Sequence, residues 1–245
     1  MLRMMCVTAH PDDEAGNFGG TLRLYSERGV ETSVLCLTPG QAASHRGAAT
    51  NDAELAAIRK KEFLASCEVL GVTRGVVLDY ADGQLHRLDA YSVVCEITRH
   101  IREFGPQVVL TYASDGGVTA HTDHALAGMF ATLATQWSAQ SNRYPDHFAH
   151  GLKPHRVKKL YYCTYNYFLP GRPPINPSPA TAVIDIGQHV ETKIAAFHKH
   201  LTQAPLFPLF EAHVRDHGRE ENFHLAARSQ PGPLTMETDL FAEEG

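Results

Sequence analysis

Two short clusters of histidine and carboxylate side chains are the part of this sequence that could do chemistry. One is AHPDDE at positions 9–14 and the other is HTDH at positions 121–124, and each follows an apolar run. A catalytic zinc ion takes about three nitrogen or oxygen donors from the protein and keeps a further position for water. The residue types of the two clusters therefore predict a metal centre with an open coordination position.

The first cluster places two metal-ligand types in one tight turn. His10 and Asp13 are separated by two residues, so the turn can aim both side chains at one point, and Pro11 stiffens it. Asp12 lies between them and is expected to point elsewhere, towards a metal-bound water. Because a metal lowers the pKa of bound water from about 15.7 towards about 7, a carboxylate such as Asp12 can remove its proton near neutral pH.

The second cluster supplies two histidines at the predicted start of a helix. His121 and His124 are three residues apart and therefore share one helix face. One of them can bind the metal while the other faces the substrate. The N-terminus of a helix also favours negative charge, which suits an oxyanion that develops nearby.

Alternating strand-like and helix-like segments must position these clusters. Short apolar runs predict strands, and residues at helical spacing predict the helices between them. The predicted strands are 4–8, 31–38, 75–79 and 106–112, and the predicted helices are 21–28, 52–70, 89–104 and 122–137. Helices of this length between strands indicate parallel pairing, so we expect an α/β fold with a doubly wound, mostly parallel, Rossmann-like sheet flanked by helices. Ligands bind beyond the C-terminal strand ends of such sheets, which is where both clusters fall.

The C-terminal third is less regular but does not suggest a separate domain. We expect one domain over 1–245, with an α/β core and metal site over 1–140. Residues 141–228 carry two further strands and a helix and are expected to shape the pocket entrance or a homo-oligomer contact. Residues 229–245 are acidic and contain Pro and Gly, and are predicted to be a frayed tail.

Composition excludes several classes of protein. The chain has 245 residues and a net charge of −5, which argues against a nucleic-acid binder. No apolar stretch approaches the roughly 20 residues that a bilayer span needs, so no membrane insertion is expected. The five cysteines are scattered, without a CxxC pair, and no signal peptide is evident, which together predict a cytoplasmic protein. The turn after the first strand lacks the GxGxxG pattern of dinucleotide-binding domains.

The two clusters together resemble those of the LmbE-like, or PIG-L, family of metal-dependent N-deacetylases. The similarity extends along much of the chain, through GG at 19–20, LG at 70–71, DG at 82–83, DGG at 115–117 and AAFHKHLTQ at 195–203. It implies a zinc-dependent hydrolase that deacetylates an N-acetylglucosamine-like small molecule. Two other readings remain open: a metal-dependent amidase or phosphoesterase, and a non-catalytic nucleotide- or metal-binding module.

The resemblance also implies residue roles. His10, Asp13 and His124 match the zinc ligands, although ferrous iron also suits two histidines and an aspartate. Asp12 matches the general base, His121 the histidine that stabilises the oxyanion and protonates the leaving amine, and Asp123 a carboxylate that orients a histidine. The matching substrate contacts are Arg59 and Asp82, and Arg46 is a further candidate donor to the aglycone.

The second cluster departs from the family pattern at two positions. Thr122 replaces a proline that is common in the family, and Thr119 stands where some members carry a tyrosine that donates to the oxyanion. We therefore expect this chain to lack that tyrosine donor.

Overall fold

The computed structural model describes residues 1–169, 171–172 and 174–242, and within these ranges seven strands form one sheet. The strands are β1 (Arg3–Thr8), β2 (Glu31–Cys36), β3 (Arg74–Val77), β4 (Val108–Tyr112), β5 (Lys159–Thr164), β6 (Ala182–Asp185) and β7 (Glu220–Arg228). The helices are α1 (Asp13–Glu27), α2 (Asp52–Leu70), α3 (Ala90–Phe104), α4 (Thr122–Trp137), α5 (Asp146–Ala149), α6 (Val190–Phe197) and α7 (Phe207–His217).

The strand order across the sheet is β3-β2-β1-β4-β5-β7-β6. The first five strands in this order pair in parallel, whereas β7 pairs antiparallel with both β5 and β6. Two apolar clusters form the core, one on each face of the sheet. Strands β1 and β4 have nearly continuous apolar sequences because they are central parallel strands with both faces buried. The predicted mostly parallel α/β sheet is confirmed.

Helix α1 begins earlier than the sequence predicts, because the glycine-bearing segment after the first cluster is helical rather than a turn. A side chain at Gly20 would overlap Ile186, with a Cβ atom only 2.7 Å from the Ile186 Cβ. The glycines therefore serve close packing of α1 against the segment after β6, and they do not end the helix. The boundaries predicted for α2 and α4 are those of the structure.

Residues 237–242 of the predicted frayed tail pack on the sheet, whereas residues 230–236 are exposed. Glu237 bridges to Ala182 in parallel, and Leu240 is fully buried. The Tyr25 hydroxyl donates to Asp239 at 2.8 Å, and the Lys159 ammonium donates to Glu237 at 2.7 Å. The prediction of a frayed tail is thus incorrect for residues 237–242, while residues 243–245 of that prediction lie outside the described residues.

The parallel strands bring four loops to one edge of the sheet. His10 follows β1, Gly40 follows β2, Asp82 follows β3 and His121 follows β4. The segments that carry chemistry are therefore neighbours although they are far apart in sequence. No helix within the described ranges combines the length and apolar character that a membrane crossing requires.

Candidate metal centre and catalytic site

The turn between β1 and α1 fixes the Asp13 carboxylate. Its Oδ2 atom accepts backbone N–H groups from Ala9 at 3.1 Å and from His10 at 2.9 Å. These bonds close the turn and leave Oδ1 directed at His124, whose Nε2 lies 3.1 Å away. The first residue of α1 therefore presents an anchored carboxylate oxygen to the second cluster.

The three side chains that the sequence predicts as metal ligands are buried and in contact with one another. Nδ1 of His10 lies 3.3 Å from Nε2 of His124 and 3.8 Å from Oδ2 of Asp13. The Asp13 carboxylate thus faces both rings, with Oδ2 towards His10 and Oδ1 at 3.1 Å from Nε2 of His124.

The hydrogen bonds on the far side of each ring indicate which nitrogens carry protons. Nδ1 of His124 lies 3.1 Å from the Gly116 carbonyl, so it donates and leaves the Nε2 lone pair facing inwards. Nε2 of His10 lies 2.9 Å from the Asp82 carboxylate and 3.5 Å from that of Asp123, and their negative charge favours a proton on Nε2. Two imidazole rings and one carboxylate that face one another are groups that bind a divalent metal ion. The residues present therefore fit such an ion.

The electrostatics of the site agree with a cation at this point. Burial alone would lower the pKa of His10, but the carboxylates of Asp123 and Asp82 raise it to about 10. Burial alone would raise the pKa of Asp13, but His124 and His10 hold it well below its usual range. The surrounding carboxylates thus create a negative potential that favours positive charge between these rings.

Asp12 lies next to Asp13 in the chain, has a left-handed backbone conformation and pairs with Arg59. Its φ of 110° is in the left-handed region, and its carboxylate accepts a 2.8 Å hydrogen bond from Arg59. The Arg59 guanidinium is 3% exposed and also donates to the carbonyls of Pro11 and Gly40. Burial raises the pKa of Asp12 to about 6 although Arg59 opposes this shift. A carboxyl group with such a pKa is suited to proton transfer near neutral pH.

His121 lies at the mouth of the site. Its Nδ1 accepts the backbone N–H of Asp123 at 3.1 Å and thereby caps α4. Its ring lies edge-on to that of His10, with 4.8 Å between the centroids. Burial and the neighbouring histidines lower the pKa of His121. A neutral ring with Nδ1 as acceptor carries its hydrogen on Nε2, where it can donate to an oxyanion.

An alternative ligand group contains His121 in place of Asp13. Ring nitrogens of His10, His121 and His124 all lie within 4.8 Å of one another. We favour Asp13 because its oxygen is closer and adds negative charge, whereas His121 is exposed and already caps a helix.

The predicted substrate contacts lie in different surroundings. The Asp82 carboxylate is 8% exposed and contacts His10 and the Ala42 N–H, so it orients a ligand rather than facing open space. Arg59 likewise faces Asp12, and the geometry gives neither residue a surface for substrate. Arg46, on the loop before α2, pairs with Asp52 at 2.6 Å and is only partly buried. Its substrate role stays a prediction.

Asp123 is placed where the resemblance predicts an orienting carboxylate. It is fully buried, and its Oδ2 accepts the Gly83 N–H at 2.7 Å and lies 3.5 Å from Nε2 of His10. The Asp123 carboxylate thus joins the loop after β3 to the start of α4, and it contacts the His10 ring at Nε2, on the side away from Asp13.

The structure adds site residues that sequence reasoning did not assign. Tyr112 stacks on His124 with 4.2 Å between ring centroids, and its hydroxyl accepts a hydrogen bond from Asn17. Glu14 and His200 form a fully buried contact beneath Asp12. The only sequence signal for the latter pair was the presence of both residues in family-like motifs, and neither motif showed that they meet.

An apolar cavity of about 200 Å³ adjoins the site. Asn17, one turn after Asp13 on α1, and Thr119, two residues before His121, lie in its wall. The remainder of the wall is mainly aromatic and aliphatic and includes Tyr165, Tyr167, Phe197, Leu206, Leu209 and Phe210. Charged residues also line the cavity, so it combines an apolar wall with polar positions: Arg172, Lys193, Glu220 and Glu221.

Comparison with known proteins agrees with this geometry. The sequence model of the family PIG-L, described as GlcNAc-PI de-N-acetylase, matches residues 5–135. A 1D-myo-inositol 2-acetamido-2-deoxy-alpha-D-glucopyranoside deacetylase from Catenulispora acidiphila is 30% identical over 98% of this chain and 96% of its own length. The chain belongs to the PIG-L family. The resemblance drawn from the two clusters is thereby confirmed.

One further sequence relative and one solved structure extend the comparison. Diacetylchitobiose deacetylase from Thermococcus kodakarensis is 29% identical over 87% of this chain and 75% of its own length. Among solved structures, the N,N'-diacetylchitobiose deacetylase from Pyrococcus horikoshii is similar with a TM-score of 0.76. That comparison covers 91% of this chain and 83% of the other at 24% identity, and it shows the shared fold.

Proposed function

We propose that this PIG-L family protein is a zinc-dependent hydrolase that removes an acetyl group from the nitrogen of an N-acetylglucosamine-type substrate. The observation that supports the proposal is the mutual contact of the buried His10, Asp13 and His124 side chains, next in the chain to Asp12. The relatives named as deacetylases of 2-acetamido sugars support the same reaction.

The residues around the ligand group can perform the proton transfers of amide hydrolysis. A bound divalent metal supplies a water of lowered pKa and polarises the acyl carbonyl. Asp12 is placed to accept the proton of the attacking water, with Arg59 holding its carboxylate. The Nε2–H of His121 can donate to the oxyanion that develops on the acyl oxygen. The leaving amine then takes the proton that Asp12 accepted from the water, which returns Asp12 to its carboxylate form.

The proposal includes zinc as the metal and the cytoplasm as the location of the protein. Two histidines and one aspartate accept zinc as well as ferrous iron, and zinc is proposed from the resemblance to the family. The five cysteines are unpaired in the structure, which supports a cytoplasmic location. The apolar cavity supports a substrate whose aglycone has apolar surface. Assembly into a homo-oligomer stays a prediction.

Acetate release tests the proposal. Wild-type protein is incubated with N-acetylglucosamine, diacetylchitobiose and N-acetylglucosaminyl inositol, with and without a chelator. We expect release that the chelator abolishes and that added zinc or ferrous iron restores, and the more effective ion identifies the metal. Release of phosphate from phosphate esters instead would favour a phosphoesterase, and a tightly bound nucleotide without hydrolysis would favour a binding module.

The variant Asp12→Asn tests the proposed base. It should lower kcat by about 10²-fold or more, since general base catalysis contributes typically 10²–10⁴-fold. The metal content should stay at the wild-type level because Asp12 is not one of the proposed ligands. Asp79→Asn is the matched control, as Asp79 follows β3 but its side chain is 80% exposed and outside the site. Full activity of Asp12→Asn with bound metal would refute this role.

A further inference from the structure

The proposed general base, Asp12, has a strained backbone conformation. A φ of 110° is rare for a residue with a side chain and costs of order 1–3 kcal/mol, so surrounding contacts must enforce it. The strain has a geometric consequence. The next residue, Asp13, starts α1 and points at the metal position, while Asp12 turns its carboxylate to Arg59.

The enforcing contact on the backbone comes from Glu14. Its Oε2 atom accepts the N–H of Asp12 at 3.0 Å, so this main-chain donor is bonded only two residues away. Arg59 holds the side chain of Asp12 and the Pro11 carbonyl, but it does not contact the Asp12 N–H. The Asp12 carbonyl accepts the Gly16 N–H at 2.8 Å within α1, so the Glu14 carboxylate is the side-chain contact that holds the N–H side of this residue.

Glu14 is itself held by a residue from the far end of the chain. Nε2 of His200 lies 2.7 Å from Oε1 of Glu14, and both side chains are 0% exposed. Nδ1 of His200 has no hydrogen-bond partner, which assigns the ring proton to Nε2 and makes Glu14 its acceptor. A carboxylate is costly to bury without such a partner, so the segment after α6 is needed to keep Glu14 in place.

We propose that Glu14 and His200 are positioning residues for the general base, and that they hold the main chain of Asp12 in the left-handed conformation. This inference rests on the proposed function. Without the pair, φ of Asp12 is free to return to the ordinary region near about −60°, a rotation that swings its carboxylate away from Arg59 and from the group of His10, Asp13 and His124. Neither residue touches the reacting atoms, so both act through Asp12.

A matched pair of substitutions at His200 separates positioning from packing. His200→Leu removes the donor to Glu14, whereas His200→Gln keeps an N–H donor near the position of Nε2. We expect His200→Leu to lower kcat at least tenfold, with KM and zinc affinity within threefold of wild type, and His200→Gln to restore most of the loss. Glu14→Gln should resemble His200→Leu, because a carboxamide cannot accept from both partners.

Glu237→Gln is the control for loss of a buried ion pair. Glu237 pairs with Lys159 at 2.7 Å on the far side of β5, and both side chains are buried. This variant should lose stability as the Glu14 and His200 variants do but keep kcat. Equal kcat in His200→Leu and wild type, or an equal fall in Glu237→Gln, would overturn the inference.

A structural measurement keeps the test separate from the proposed function. If the wild type releases no acetate from any amino sugar, the proposed function fails, and the crystal structure of His200→Leu decides the inference alone. A negative φ at Asp12 in that structure supports the positioning role. A φ that stays near 110° shows that the pair does not hold the backbone. If His200→Leu does not fold, Glu14→Gln takes its place in both measurements.

Discussion

Gly128 on α4 offers a sharp test of how the fold positions the metal centre. The glycine lies one turn after His124, and α4 packs there directly on the end of β4. A Cβ atom at Gly128 would lie 2.9 Å from the carbonyl carbon of Tyr112 and closer still to its oxygen. Tyr112 also stacks on His124. The substitution Gly128→Ala should therefore displace His124 in two ways, by moving helix α4 and by moving the Tyr112 ring.

The size of the effect follows from these contacts. Carbon atoms pack at about 3.5–4.0 Å, so α4 must move by roughly 1 Å to accommodate the methyl group. Metal ligands tolerate deviations of about 0.2 Å, so His124 would leave its productive position. Overpacking costs about 1–3 kcal/mol, while replacing glycine in a helix recovers about 1 kcal/mol. Stability should therefore fall only modestly, whereas zinc affinity should fall at least about tenfold.

Zinc titration by calorimetry, together with thermal unfolding of the metal-free protein, provides the measurement. Gly16→Ala is the matched control, because Gly16 lies one turn after the ligand Asp13 on α1 and its Cβ would meet only Phe197, at 3.9 Å. That variant should gain about 0.5–1 kcal/mol in unfolding free energy and keep its zinc affinity. Wild-type zinc affinity in Gly128→Ala would refute the claim that close packing of α4 on β4 places His124.

Three further predictions concern the site and the fold. Because His121 donates to the oxyanion, His121→Ala should lower kcat about 10²–10³-fold, measured by acetate release, and should retain the metal; loss of zinc from this variant would instead make His121 a ligand. His147 accepts from Arg102 at 3.0 Å, and burial and that charge lower its pKa, so the unfolded chain binds a proton more readily. The unfolding free energy should therefore fall as the pH drops below about 6.5, and His147→Gln should reduce this dependence in urea titrations; an unchanged dependence would contradict it. Lys159→Met leaves Glu237 buried without its cation, so it should destabilise the protein by about 3–5 kcal/mol in the same assay, and a loss below about 1 kcal/mol would show that the pair is dispensable.

The sequence by itself determined most elements of the parallel core and the residue types at its C-terminal edge. Local signals sufficed for α2, where Asn51 caps the first turn and Gly71 ends the helix in a left-handed conformation. The proximity of the two clusters could be predicted from the sequence. Each cluster follows an apolar run, and the C-terminal ends of parallel strands lie at one edge of the sheet. The convergence of His10 and His124 is the direct result of that topology.

Tertiary structure decided which partners the remaining residues have. The antiparallel β7 lies between β5 and β6, and no local pattern fixes that position because it depends on packing against distant strands. Arg59 and Asp82 face the catalytic groups instead of the pocket. The contact between Glu14 and His200 joins residues 186 positions apart. Such contacts form only when many side chains bury surface together, and the free energy of that burial belongs to the whole fold rather than to any segment.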